Sequence, residues 1–104
     1  MVVARLIFVK FKPEASVENA KKIWDESVIP AARTQKGFCG AFMLISELGN
    51  EGIAVSLWEN KNDVETGEKN GYLQEQLNKF TPMFATPPSR ILYNVNSKII
   101  LEKE

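Results

Sequence analysis

The chain has no histidine, a single cysteine and no excess of charge, its 104 residues balancing 13 basic against 13 acidic side chains. Without histidine there is no Ser-His or Cys-His nucleophile pair to be made within the chain. Histidine-ligated zinc, copper and haem are excluded for the same reason. The lone Cys39 excludes an intrachain disulfide and fits a reducing compartment. Zero net charge, with the Lys and Arg side chains scattered, is unlike the basic stripe of a nucleic-acid domain. Long apolar runs are missing too. Val2–Val9 is interrupted by Arg5 and has no leading basic region, so no signal peptide is expected. Nothing approaches the ~20 apolar residues of a membrane-spanning helix. With no linker, repeat or low-complexity tract, the expectation is one cytoplasmic domain over residues 1–104, without nucleic-acid or membrane partners.

What is present is a clear alternation of patterns. Val2–Phe11 is β-branched and aromatic and reads as a strand, with Leu6 and Phe8 on one face and Ile7, Val9 and Phe11 on the other. Ser16 is a natural helix N-cap, and Val17, Ala20, Ile23, Trp24, Val28 and Ala31 follow helical spacing. Pro30 falls inside that pattern and should kink or end the helix, with Gly37 closing the segment. Phe38–Glu47 reads as a second strand, Phe38, Phe42 and Leu44 set against Cys39, Met43 and Ile45. A glycine-containing turn over residues 48–52 leads into a third strand, Ile53–Trp58, with Ala54, Ser56 and Trp58 on one face. Asn60 caps a further helix that weakens around Gly67 and Gly71. Leu73, Leu77, Phe80 and Phe84 then form a helical stripe, and Arg90–Leu101 resumes strand character after Pro87-Pro88.

The order is βαββαβ, which predicts a ferredoxin-like α+β fold: a four-stranded antiparallel sheet with two helices on one face. Two helices cover only one side of such a sheet. Strands apolar on both sides therefore predict a homodimer that packs sheet against sheet.

Three stretches, Asp25–Phe38 (DESVIPAARTQKGF), Ser56–Asp63 (SLWENKND) and Leu77–Tyr93 (LNKFTPMFATPPSRILY), resemble the antibiotic biosynthesis monooxygenase-like domain family of the dimeric α/β-barrel superfamily. The similarity runs from Ala4 to Val95. It implies a homodimeric barrel with a cleft between helices and sheet in each subunit. Some members are cofactor-independent oxygenases of polycyclic phenols, and others degrade haem. The haem-degrading members use a strand-1 asparagine, a tryptophan ending strand 3 and a histidine ligand. Trp58 matches the tryptophan, but Ala4 occupies the asparagine position and the histidine is missing, so haem degradation is not expected.

Trp58, beside the small Ala54 and Ser56, is the first candidate for the wall of a substrate pocket, the alternative being an ordinary core tryptophan. Tyr72, Phe80, Phe84, Phe42 and Phe8 are candidates to complete an aromatic cleft, although a stripe at helical spacing also describes plain core. Arg5 either neutralises an anionic substrate or pairs with a carboxylate across the dimer. Cys39 has no basic neighbour in sequence to activate it. Asp25/Glu26 and Asp63/Glu65 show no metal-loop pattern, and Gly67…Gly71 is no phosphate loop. No catalytic residue, cofactor or metal is assigned. Two functions remain: a cofactor-independent monooxygenase acting on a small aromatic or polyphenolic molecule, and a non-enzymatic dimer that binds a small ligand or another protein.

Overall fold

A computed structural model describes residues 1–101. The elements are β1 (Val3–Lys10), α1 (Val17–Ile23), a π-helical turn (Trp24–Val28), α2 (Ile29–Ala32), β2 (Phe38–Ile45), β3 (Glu51–Trp58), α3 (Lys61–Lys69), α4 (Tyr72–Asn78), a 3-10 turn (Thr81–Met83) and β4 (Ser89–Asn94). The sheet is antiparallel with strand order β2-β3-β1-β4, the ferredoxin-like arrangement, and the helices lie against one face.

The helix starts follow from side-chain caps. Ser16 Oγ accepts from the Asn19 N–H at 3.1 Å, and Asn60 Oδ1 accepts from the Asp63 N–H at 3.0 Å, each satisfying a donor that the first turn leaves free. Pro30 does not end the first helix. The chain widens by one residue instead, so that the Ile29 N–H reaches back to the Trp24 carbonyl in a π-type turn, and the missing N–H of Pro30 falls near the start of α2. The second helix does break where its glycines suggested, between α3 and α4, with Gly71 at φ +88°.

The register sorts the strand side chains into two sets. Opposing pairs Arg5/Ser56, Ile7/Ala54 and Val9/Gly52 point to the helices, whereas Ala4/Leu57, Leu6/Val55 and Phe8/Ile53 point away. One expectation fails here. Phe38 does not share a face with Phe42 and Leu44, because the β2–β3 register shifts between Phe38 and Gly40. The extra residue reverses the alternation, turning Phe38 inward with Ala41, Met43 and Ile45. The last strand is also shorter than expected. Asn94 already pairs with Val3, and the Val95 N–H bonds to the Val2 carbonyl, so β4 runs off the end of its partner. Ile99, Ile100 and Leu101 have no strand to pair with and are exposed. Among the described residues no helix is long and apolar enough to cross a membrane.

The core sits at the Trp58 end of the helix-covered face, where Val3, Trp58 and Val64 pack with Phe38, Tyr72 and Leu92. On the opposite face Phe42 is 46% exposed, Leu44 49% and Tyr93 53%, with nothing over them.

Candidate functional site

Between the sheet and the helices lies a cavity of about 90 Å³. Its floor is the inward set of the strands, from Ile7 and Val9 across Ala54 and Ser56 to Ala41 and Met43. Trp24, Val28 and Ile29 roof one side, and Leu73, Leu77, Phe80 and Phe84 roof the other. The space exists because β3 places only Gly52, Ala54 and Ser56 before it reaches a large residue. It exceeds several-fold the roughly 10–15 Å³ that one water needs, but falls short of the ≈ 300–1,000 Å³ of pockets for drug-sized ligands. As it stands it fits a small ring, and a polycycle enters only if the helices yield.

Leu73, Leu77, Phe80 and Phe84 all border this cavity, but not as one helical stripe: α4 carries only Leu73 and Leu77, Phe80 follows its end, and Phe84 is extended beyond the 3-10 turn and bridged to Phe11. Phe80 and Phe84 are stacked, ring centroids 6.3 Å apart and planes 11° from parallel. Phe8 and Phe42 are not part of it. They lie on the far side of the sheet, among the residues that oppose Ile53 and Val55, because even-numbered positions of β1 and β2 point outward there. Their assignment to the cleft is corrected on that ground.

Trp58 closes one end of the cavity but is only 1% exposed. Its indole N–H donates to Ser56 Oγ at 2.8 Å. Phe38 and Tyr72 meet its ring edge-on at centroid distances of 5.5 and 6.5 Å, and the Arg5 guanidinium carbon lies 5.5 Å over it. The ring is thus held on several sides, and the Arg5 guanidinium occupies one of its faces. Ser56, one of the small residues that leave the cavity its room, is also the acceptor for the ring's N–H.

The polar groups of the lining are few: Arg5, Ser56, Tyr72 and Gln76. Gln76 Oε1 accepts from Lys79 Nζ at 2.8 Å, and the same ammonium donates to Ser27 Oγ at 2.7 Å, which ties α4 to the π-helical turn. Burial pushes the Tyr72 phenol up, partly offset by the charge of Arg5, so it is neutral near pH 7. Arg5 itself is 5% exposed, and its burial pulls its pKa down from the usual guanidinium value. Its ion-pair partner is Glu68 of the same chain, Nη1 to Oε2 3.6 Å, not a carboxylate across a dimer as one sequence expectation had it. Sequence reasoning missed Glu68 and Gln76 altogether, since each looks like a surface residue of a polar helix.

Among the described residues no cluster of three His, Cys, Asp or Glu side chains is placed to hold a metal ion. Cys39 is exposed at the β2 bulge, outside the cavity, its thiol against the Gly37 carbonyl at 3.3 Å.

No family model matches the sequence, and no curated protein matches it either. Solved structures do. The chain superposes with a TM-score of 0.76 on a variant of SnoaB, a cofactor-independent oxygenase from Streptomyces nogalater, at 9% identity over 94% of this chain and 96% of that one. A monooxygenase from the gene ActVA-Orf6 of Streptomyces coelicolor, in complex with nanaomycin D, gives 0.72 at 16% identity over 96% and 92%. Rv0793 from Mycobacterium tuberculosis gives 0.73 at 12% identity over 94% and 98%. Likeness at this level of identity is likeness of fold: this chain has the fold of an antibiotic biosynthesis monooxygenase-like domain.

Proposed function

We propose that the chain forms a homodimer through its uncovered sheet face and binds a small aromatic molecule in the cavity between sheet and helices, where it promotes oxidation by dioxygen without a cofactor. The observation that carries the reading is the cavity itself, enclosed by aliphatic and aromatic side chains with a few polar groups at one end, in a fold shared with cofactor-independent oxygenases. In such chemistry the substrate supplies the electrons. A doubly activated CH₂ becomes a carbonyl; one oxygen atom of O₂ ends on that carbon and the other leaves as water. The protein's part is to hold the substrate dry and to favour its ionised form.

The dimer rests on the outward set of strand residues. Leu6, Phe8, Phe42, Leu44, Ile53, Val55, Ile91 and Tyr93 are neighbours in register on one face, and Phe42, Leu44, Ile91 and Tyr93 among them are exposed, a grouping of apolar side chains that favours being covered. A second copy presenting the same surface covers it, in the symmetric manner of most homo-oligomers.

A second reading, a ligand-binding protein with no catalysis, is favoured by one feature. The cavity's polar groups include no carboxylate and no imidazole, so no side chain there is placed as a general base at neutral pH. Oxygen uptake by metal-free protein with anthrone- or quinol-type substrates separates the two. Turnover above the uncatalysed rate, lost when Leu77→Trp fills the cavity, supports the oxygenase. Saturable binding without oxygen uptake leaves the ligand-binding protein.

A further inference from the structure

Arg5 is a charge that the fold neutralises only in part. It stands on the helix-facing side of β1, opposite Ser56 of β3 and Leu92 of β4, and borders the cavity beside Trp58. The carboxylate nearest to it is already engaged. Glu68 accepts two hydrogen bonds from Arg90, from Nε at 2.5 Å and from Nη2 at 2.7 Å, the bidentate fork that satisfies a carboxylate best. Arg5 is left with a 3.6 Å approach to the same group, too long for a hydrogen bond. Its Nε and Nη1 are enclosed with no acceptor among the described residues. Two guanidiniums therefore share one carboxylate, and the cluster keeps an excess of one positive charge.

The other groups acting on Arg5 do not cancel that excess. Tyr72, from α4, is neutral near pH 7, and Arg90, from β4, adds repulsion. Glu65 lies toward Arg90 and pairs with Lys61 at 3.5 Å. The other buried carboxylate, Asp63, sits against Gly37 at the start of α3 and is not among the charges acting on Arg5. An uncompensated buried cation is costly to keep, and an anion entering the adjoining cavity recovers that cost.

We propose that Arg5 determines the specificity of the cavity, selecting an aromatic ring that bears an anionic oxygen, a carboxylate or an ionised phenol, over the corresponding neutral ring. The proposal rests on the reading of the cavity as the ligand site. A flat ring fits the apolar space between Phe80, Leu77 and Met43, and its oxygen reaches the Trp58 end, where the surplus charge is held. The cation over the Trp58 face stays in place and acts as the acid-side partner of the ligand.

The test uses 4-nitrophenol, whose ionised form is coloured, 4-nitroanisole as the ring that never ionises, and benzoate as the carboxylate. Wild type is expected to bind 4-nitrophenolate at least about tenfold more tightly than 4-nitroanisole, and to lower the pKa of the bound phenol by about one unit, as a cation within ~4–6 Å does. Arg5→Met keeps the side-chain length and leaves Glu68 paired with Arg90; its ratio of 4-nitrophenolate to 4-nitroanisole affinity should fall to about one. Glu68→Gln enlarges the positive excess and should strengthen the preference, a gain that no folding defect imitates. Equal binding of ion and neutral ring by wild type, or an unchanged preference in both variants, overturns the role of Arg5. If wild type binds neither ring, the cavity reading itself fails, and this proposal with it. Benzoate binding alongside 4-nitrophenolate marks a general oxyanion site, and its exclusion marks one restricted to phenolates.

Discussion

The two faces of the sheet are built from the same four strands and could hardly differ more. The helix-covered face carries every charged or hydrogen-bonding group that the strands turn toward the helices: Arg5, Ser56, Arg90 and Asn94, with the cavity among them. The uncovered face presents Leu6, Phe8, Phe42, Leu44, Ile53, Val55, Ile91 and Tyr93, and its charges, Lys10 and Glu51, stand opposite each other in register at one end of β1 and β3. A monomer would be expected to be polar on its open face. Under the proposed function the inner face takes the ligand and the outer face takes another copy.

The comparison is broken most severely from the outside. Val55→Asp sets a carboxylate at the middle of the uncovered face, opposite Leu6 and Phe42. In a dimer that charge is buried without a partner, at several kcal/mol per copy. Light scattering coupled to size exclusion should read twice 11.7 kDa for wild type and a monomer or unfolded chain for the variant; an unaltered wild-type monomer would sink the paired-face account.

The next effects come from inside. Trp58→Ala removes the largest fully buried side chain and the contacts of Phe38, Tyr72 and Arg5 with it. Denaturant unfolding should show a loss of about 3–5 kcal/mol. Ser56→Ala takes away only the acceptor of the indole N–H, and a loss of about 1–3 kcal/mol is expected for a buried donor left without a partner. The order Trp58→Ala, then Ser56→Ala, is the claim; a Ser56 variant as damaging as the tryptophan one would mean that the hydrogen bond, not the packing, holds this end of the core.

The smallest effect is a matter of pH. Burial raises the Tyr72 pKa above its usual value of 10.0. A raised pKa in the folded state contributes stability that is complete below the unfolded value and lost as pH climbs through the folded one. Stability should therefore fall above about pH 10, and Tyr72→Phe should remove that part of the fall. Chemical unfolding at intervals from neutral to alkaline pH measures it, and a parallel decline in both proteins would place Tyr72 in solvent.

How far these features could be read from the residues depends on how local their causes are. The faces of β1 follow from strict alternation and were legible, as were the caps at Ser16 and Asn60, because each depends on a few neighbouring residues. Phe38 was not, since a single extra residue near Cys39 reverses the parity on which the reading relied. Nor was the fate of Pro30. The sequence marks a place where the hydrogen-bond ladder must change, without saying whether it breaks or widens. The candidate site divides in the same way. Leu73 and Leu77 were visible by their helical spacing, and Trp58 by its place at the end of β3, whereas Phe80 and Phe84 reach the cavity from beyond the end of α4. That Trp58 is enclosed, with Arg5 on its face, depends on side chains brought together from β1, β2 and α4. The Arg5–Glu68–Arg90 cluster joins three elements far apart in the chain and left no local trace.

The division of labour between the faces is tested most directly by one spectrum, a methyl correlation map of the Ile, Leu and Val side chains recorded while toluene is titrated in. The account predicts progressive shifts for the methyls of Ile7, Val28, Leu73 and Leu77, which border the cavity, and none for Leu6, Leu44, Val55 and Ile91 on the opposite face. Shifts confined to the outer set, or shared equally between the two, would contradict it.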